Sequence, residues 1–501
     1  MTNGIPAAPP AAHRPDSLWS PARRPLTLGL VLTITLVASE ALAVATAMPI
    51  VARDIGGLSL YGWVFSAFFL GSLIGISVVG GLIDERGIVV PFVGGLVLFG
   101  IGLLICGLAP SMETIVVGRF IQGLGGGAVP PVAYVAIGRS LPDRLRPHMF
   151  AIMSAAWVLP GVAGPAVAGL IAEFWHWRVI FLGLIPIIVL SGTIASRAMR
   201  AIPPAGTATG EVREAAEAAA SDAARADRRR RYGWAVLVAI GAGVLTTGLL
   251  SADLAVLAGL TIGGLALTLI AFHRLTPPGT LRLARGYPAA VLLRGVLTFS
   301  FFAVDAYVAL LLVEVRDWSA AAAGLALTGA TVSWSLGSWI QSRTVGRVGA
   351  ENYVRVGFPI VALGLAGMAL ALVPEIPAWI AIPTFAVAGL GMGLSYSQFA
   401  IIVLRDAPRD RQGSVTAAIS LSDALGTALG AGIPGAMIAA AVRAGSGPAP
   451  ALAAAIAMAV TVAFLGFLLA PRLHHRPAAS AAETDSGEPR PEPPEPRPAV
   501  R

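Results

Sequence analysis

Arg119 lies inside an apolar stretch, Ile115 to Ile137, three residues before Gln122 and four before Gly123. On a helix these three share a face, which then carries a fixed charge, an amide and a smooth strip. A guanidinium at bilayer depth is costly and persists only with a partner or a water-lined cavity. Glu40, in the apolar run ending at Ile50, can be that partner. At 1.5 Å per helical residue, Glu40 sits about 15 Å from the Ile50 end of its run and Arg119 about 9 Å from the Glu113 end of its own. The two runs point in opposite directions, so long side chains can meet. A nearby cation favours the ionised carboxylate, and an apolar pocket favours the protonated one. Such a pair can load and release a proton as its surroundings change; the other reading is a permanently ionised structural pair. Asp305 and Asp423 are further acids within apolar runs, candidates for substrate or proton binding. Arg294, seven residues into its run, is expected to snorkel to the surface.

These residues need a membrane around them. The chain has 501 residues, 56% hydrophobic and only 12% charged, against about 25% charged in soluble domains; its mean hydropathy is +0.78. Apolar runs of about 20 residues are transmembrane candidates. Fourteen are expected: 26–50, 61–83, 88–109, 113–138, 148–172, 179–199, 233–251, 254–273, 287–314, 319–343, 353–373, 378–404, 411–440 and 450–470. Only Ser251, Ala252 and Asp253 separate the seventh from the eighth, but a single run of that length must fold back in a bilayer about 30 Å thick.

All 35 basic residues are arginine. With the N-terminus cytoplasmic, Arg53, Arg178, Arg316 and Arg443 fall outside, Arg119 and Arg294 lie deeper in spans, and all the others fall on the cytoplasmic side, the bias that the positive-inside rule demands. Both termini are therefore expected in the cytoplasm of a bacterial cell, across the cytoplasmic membrane. The net charge of +8 is thus a matter of orientation, with no nucleic-acid partner implied. Residues 1–25 read as a cytoplasmic tail, 200–232 as a cytoplasmic linker ending in Arg228 to Arg231, and 471–501 as a disordered tail rich in Pro, Glu and Arg. The absence of lysine removes a standard phosphate-binding loop and any lysine Schiff base. With one cysteine, Cys106, there is no internal disulfide or cysteine-based metal cluster. No metal and no cofactor are expected.

Five motifs fall in order along the first half. They are Glu40 with Met48-Pro49; Gly80-Gly81-Leu82-Ile83-Asp84-Glu85-Arg86-Gly87 after the second run; Arg119-Phe120-Ile121-Gln122-Gly123; Gly161-Val162-Ala163-Gly164-Pro165-Ala166-Val167-Ala168-Gly169; and Trp177-Arg178-Val179-Ile180-Phe181. Together they resemble the fourteen-span drug/proton antiporter branch of the major facilitator superfamily, over the whole membrane part. The resemblance implies an all-α integral membrane protein with six-helix bundles at 26–199 and 287–470 and two extra helices at 233–273 between them. It implies proton coupling through Glu40 and Arg119, with Asp305 and Asp423 as further coupling candidates and Asp305 a rough counterpart of Glu40. It implies gating at Gly80, Asp84, Arg86 and Gly87, and conformational roles for Gly161, Gly164, Pro165 and Gly169. In the gating loop Glu85 replaces the family's first basic residue, and Ile88 and Val89 replace its last two, leaving Arg86 displaced by one position. A pseudo-repeat of the loop, Gly337 to Arg343, carries Gln341 where the acid would stand. Gln122, Trp157, Tyr307 and Trp334, with Trp63 and Phe68, are candidates to line a substrate cavity; packing or lipid contact is the plainer role for any single one.

The expected activity is proton-coupled export of amphipathic organic compounds or drugs by a monomer in the lipid bilayer, with small molecules and protons as its partners. Export of a lipid, siderophore or endogenous secondary metabolite by the same fold is the alternative. An intramembrane lipid-modifying enzyme is a distant third: such an enzyme needs clustered acids or a nucleophile with its base, and the one adjacent acid pair, Asp84 and Glu85, lies in a loop beside Arg86.

Overall fold

The computed structural model describes residues 17–21, 23–142, 144–201, 222–408 and 411–474; most of the expected N-terminal tail, most of the linker and most of the C-terminal tail lie outside these residues, as does the side chain of Asp84. Every long element is a helix: α1 (Arg24–Ile55), α2 (Tyr61–Arg86), α3 (Val89–Gly107), α4 (Met112–Ser140), α5 (Arg146–Ala155), α6 (Val158–Phe174), α7 (Arg178–Leu182) and α8 (Leu184–Arg200). Then come α9 (Asp222–Gly248), α10 (Leu254–Leu275), α11 (Tyr287–Asp305), α12 (Ala320–Val348), α13 (Ala350–Met368), α14 (Ala381–Ser395), α15 (Gln398–Asp406), α16 (Gln412–Arg443) and α17 (Ala449–Leu469). A short turn at Val308–Leu310 and a π turn at Leu311–Val315 continue α11. Among the described residues, 11 helices are long and apolar enough to cross a membrane. Outside that number are α6, which is short, and α9 and α12, whose composition is more polar.

The turn at Ser251–Asp253 does divide two helices. Asp253 caps α10, its Oδ1 accepting from the amides of Ala255 at 2.9 Å and Val256 at 3.0 Å. The upstream boundary differs from expectation, because α9 begins at Asp222 and absorbs Arg228 to Arg231 as its first turns. Alanine and arginine are strong helix formers, so the charged stretch continues the helix beyond its apolar part. α10 lies along α9 and leaves Leu254, Ile262 and Ile270 exposed.

Glycine sets the spacing of the helices, and it does so twice. A Cβ on Gly123 would lie 2.0 Å from the Phe68 carbonyl oxygen, and one on Gly71 would lie 2.3 Å from that of Phe120. In the second half a Cβ on Gly393 would lie 2.1 Å from the Trp334 carbonyl oxygen, and one on Gly337 would lie 2.6 Å from that of Leu390. The α2–α4 contact is thus repeated as α12–α14, with Phe68 matched by Trp334 and Gly71 by Gly337. This register corrects the reading of the loop repeat. Gly337 corresponds to Gly71 in mid-helix rather than to Gly80, and Gln341 then falls on Gly75 rather than on Asp84. Composition alone could not separate glycines used for helix packing from glycines used for a turn.

The two halves close on each other at the end that carries Arg53 and Arg178. Arg53 donates from Nε to Glu314 at 2.6 Å and from Nη2 to the Val313 carbonyl at 3.0 Å. Glu173, near the end of α6, accepts from the Ala321 amide at 3.0 Å, satisfying one of the orphan donors at the start of α12. Gly161, Pro165 and Gly169, four residues apart and so on one face of α6, seat α12. A Cβ on Gly161 would lie 2.1 Å from the Thr331 side chain, one on Gly169 would lie 2.4 Å from the Ala321 Cα, and Gly324 approaches the Pro165 backbone as closely as a Cβ distance of 2.9 Å. Gly164 faces α1 loosely, with Leu42 the nearest side chain outside its own helix. Gly169→Val should force α6 and α12 apart and lower stability by about 1–3 kcal/mol, the usual cost of overpacking. Thermal unfolding of the purified protein measures this, and an unchanged midpoint would contradict the close approach.

Candidate functional site: two buried charge clusters

α4 carries Arg119 into the N-terminal half, where it is 2% exposed. Its Nη1 donates to Glu40 Oε1 on α1 and, at 2.8 Å, to Gln122 Oε1 one turn along α4. Nε donates to the Val64 carbonyl of α2 at 3.1 Å, and the guanidinium lies 4.3 Å over the Phe68 ring. Three helices thus meet through one side chain. Glu40 and Gln122 are fully buried, and each keeps one unpartnered polar atom, Glu40 Oε2 and Gln122 Nε2. Gly102 of α3 supports the amide from behind, since a Cβ there would lie 2.5 Å from the Gln122 Cβ. The cluster can hold one proton on the free carboxylate oxygen without breaking the contact made by the other oxygen.

The second cluster overturns the expectation for Arg294, which is 6% exposed and does not reach the surface. Its Nε donates to Asp423 Oδ1 of α16 at 2.8 Å, and Nη1 donates to the Tyr396 carbonyl oxygen. The Tyr396 hydroxyl donates to Asp423 Oδ2 at 3.1 Å, and the guanidinium lies 3.1 Å from the centre of the Tyr396 ring. A carboxylate within reach costs less than stretching the arginine to water, so pairing displaces snorkelling. The cluster is not a copy of the first. In the α2–α4/α12–α14 register the residue matching Arg119 is Gly389, so the buried arginine of this half comes from α11.

The remaining candidates fall in different places. Asp305 ends α11, half-buried, with no side-chain hydrogen bond or ion pair among the described residues. Tyr307 is 2% exposed, its hydroxyl donates to the Ala431 carbonyl oxygen, and it presses on Gly62. It belongs to the closed seam, where Gly62 and Gly435 approach so nearly that a Cβ on Gly62 would lie 2.6 Å from the Gly435 Cα. Trp334 touches Phe301 and Tyr396. Trp157 sits at the break between α5 and α6, 44% exposed. Trp63 leans toward Gly243 of α9. In the loop after α2 Gly87 caps the helix with φ +72°, a conformation that glycine adopts without strain, and Arg86 ends the helix exposed. Gly80 has no neighbour within 4 Å, whereas Gly81 is pressed by the Tyr232 hydroxyl of α9. Sequence reasoning passed over Tyr396, Phe69, Phe301 and Phe302, since an aromatic residue within an apolar helix carries no signal of its own.

Packed apolar helices with buried, paired charges where they cross define a multi-pass membrane protein. A family profile described as Major Facilitator Superfamily matches residues 28–431. The chain belongs to that superfamily. It is 30% identical over 175 residues to the multidrug transporter protein MdtP of Bacillus subtilis, covering 35% of this chain and 32% of the relative. It is 29% identical over 166 residues to the multidrug efflux pump SdrM of Staphylococcus aureus, covering 33% and 37%. An uncharacterized MFS-type transporter of Mycobacterium tuberculosis matches at 25% over 439 residues, 86% of this chain and 62% of the relative. The chain thus spans about a third of the length of the multidrug transporters that it matches. The fold is similar to that of a bacterial homolog to the human lysosomal transporter Spinster, with a TM-score of 0.60 at 15% identity, covering 91% of this chain and 98% of that one. It is similar also to that of the peptide transporter POT, with a TM-score of 0.60 at 15% identity, covering 89% and 94%.

Glu40→Leu or Arg119→Leu alone leaves a buried charge without its partner and should cost about 3–5 kcal/mol. The double replacement should recover most of that. Thermal unfolding of the three variants checks it, and a double variant no more stable than either single one would show that the pair is not an energetic unit.

Proposed function

We propose that the chain is a fourteen-span exporter that exchanges protons for amphipathic organic compounds across the bacterial cytoplasmic membrane, with both termini in the cytoplasm. The three additional spans are α6 with α5, α9 and α12. The 26–199 and 287–470 segments are the two six-helix bundles, and α9 with α10 forms the extra pair between them. The arginine bias supports the orientation, and the similarity to proteins named as multidrug transporters supports the substrate class.

The observation that carries the reading is the sealed Glu40 carboxylate, held by Arg119 through one oxygen and unpartnered at the other. A proton placed on Oε2 neutralises Glu40 and removes the ionic part of its hold on Arg119, leaving the Oε1 contact as a hydrogen bond to a neutral acid. A guanidinium left without its counter-ion favours a rearrangement that restores a partner or brings in water. Because Glu40 is fully buried in the state described here, proton exchange requires the bundles to move, which couples the proton to alternating access. Asp305 and Asp423 are the more accessible acids and suit a cationic group on the substrate, Asp305 most of all because no arginine neutralises it. Closure at the Arg53–Glu314 end sets the outer gate, built from Gly62, Gly435, Tyr307 and the Gly161–Gly169 stripe.

Inside-out vesicles with an acid interior should accumulate a transported dye, and a protonophore should abolish the uptake. Glu40→Gln should lose gradient-driven uptake roughly tenfold or more, equivalent to about 1.4 kcal/mol, while keeping substrate counterflow. Uptake indifferent to the gradient would defeat antiport, and normal gradient-driven uptake by Glu40→Gln would defeat the role given to that residue.

A further inference from the structure

The start of α9 and the end of α10 meet at one corner of the molecule, and both are basic. Residues 222–231 hold five arginines against two aspartates. α9 carries that charge without a break into its apolar part, which opens at Trp234. Arg274, in the last turn of α10, lies with its guanidinium 5.7 Å from the centre of the Trp234 ring. Arg230 stands four residues before Trp234, one turn away on the same face. Helical side chains lean toward the N-terminus, so the Trp234 ring leans toward Arg230. Tyr232, two residues from each, faces the other way onto α2, where its hydroxyl takes the place that a Cβ on Gly81 would fill. That contact fixes the rotation of α9 and turns Arg230 and Trp234 toward the end of α10.

Arg229, Arg230 and Arg274 are exposed, and none of them makes a hydrogen bond or ion pair with another described residue. Glu85, one turn beyond Gly81 on α2, lies on the Tyr232 side of α9. Next to the charge the surface turns apolar at once. Ile270 lies one turn before Arg274 on the same face of α10 and is exposed, as is Leu269 beside it. α10 is long and apolar enough to cross a membrane, and most of its surface faces outward. The corner therefore places arginines from two helices at the edge of an apolar wall, with an indole at the boundary.

We infer that this corner of the α9–α10 hairpin binds an anionic phospholipid, its phosphate held between Arg230 and Arg274 and its chains lying along the exposed face of α10. The planar fork of a guanidinium matches phosphate oxygens, and a basic cluster at the end of a spanning helix attracts anionic headgroups. Trp234 suits the level between them, since an indole has an apolar body and a polar edge and settles at the membrane–water boundary. A soluble phosphate would meet the arginines and leave the apolar face uncovered. A zwitterionic lipid would bring its own cation against them. Because the two arginines belong to different helices, the site depends on the packing of the hairpin and not on a basic run alone. It is independent of export and of which leaflet the corner faces.

The test is native mass spectrometry of the purified full chain in detergent micelles, titrated with dioleoyl phosphatidylglycerol or with dioleoyl phosphatidylcholine. Glycerol phosphate serves as the soluble headgroup. The first phosphatidylglycerol should bind about tenfold more tightly than phosphatidylcholine, and glycerol phosphate should not displace it. An arginine at the membrane surface strengthens the hold on anionic lipid about fivefold. Arg230→Gln or Arg274→Gln should therefore weaken the first phosphatidylglycerol about fivefold, and the two together about twentyfold, with phosphatidylcholine unchanged. Arg443→Gln, which removes an exposed arginine from the end of α16, should change neither lipid. The single variants keep the test open if the double one does not fold. Phosphatidylglycerol held no more tightly than phosphatidylcholine, held equally well by both single variants, or weakened as much by Arg443→Gln overturns the site. Displacement by glycerol phosphate overturns a lipid as its occupant.

Discussion

Glu40 and Arg119 are held by the same constraint that makes them useful. Neither charge can be removed from water alone at acceptable cost, so the helices that bring them together must fit closely enough to exclude water and still align two side chains. α1 supplies the acid and α4 the base, α2 supplies a backbone carbonyl and the face of Phe68, and α3 backs Gln122 through Gly102. The packing of the N-terminal bundle can be read outward from this contact. A pair sealed in this way is stable only while the helices stay closed around it.

Glycine makes the fit possible. Where α2 meets α4 and α12 meets α14, backbone oxygen lies where a Cβ would stand, so the helix axes are closer than any larger residue allows. In a bilayer, helix association has no hydrophobic driving force of its own and relies on such packing. The Gly161-Pro165-Gly169 stripe applies the same rule between the halves rather than within one. A stripe inside a bundle fixes its shape, whereas a stripe between bundles can open as one surface. The same residue type therefore packs helices within one half in α4 and across the two halves in α6.

The halves share a plan and differ in chemistry. The helix packing repeats closely enough to match Phe68 with Trp334. The buried arginine does not repeat, since Gly389 stands where Arg119 would, and Arg294 arrives from another helix to pair with Asp423. One half thus holds a sealed pair and the other holds a more open pair with an unpaired acid, Asp305.

Apolar runs, the arginine bias and the order of five motifs were enough to read from the sequence a multi-pass membrane protein of this superfamily and the depth match of Glu40 with Arg119. These features are local or additive, because hydropathy sums over neighbouring residues and helical rise converts residue number directly into depth. The partners of Arg294, the burial of Tyr307 and the assignment of Gly337 to helix packing were decided by tertiary structure alone. Each depends on which faces of distant helices cross, and at what angle, and one face of an apolar helix reads much like another. The contact of Phe69 with Phe302 is the extreme case: the two are separated by more than two hundred residues, and only the packing of one half against the other brings their rings together.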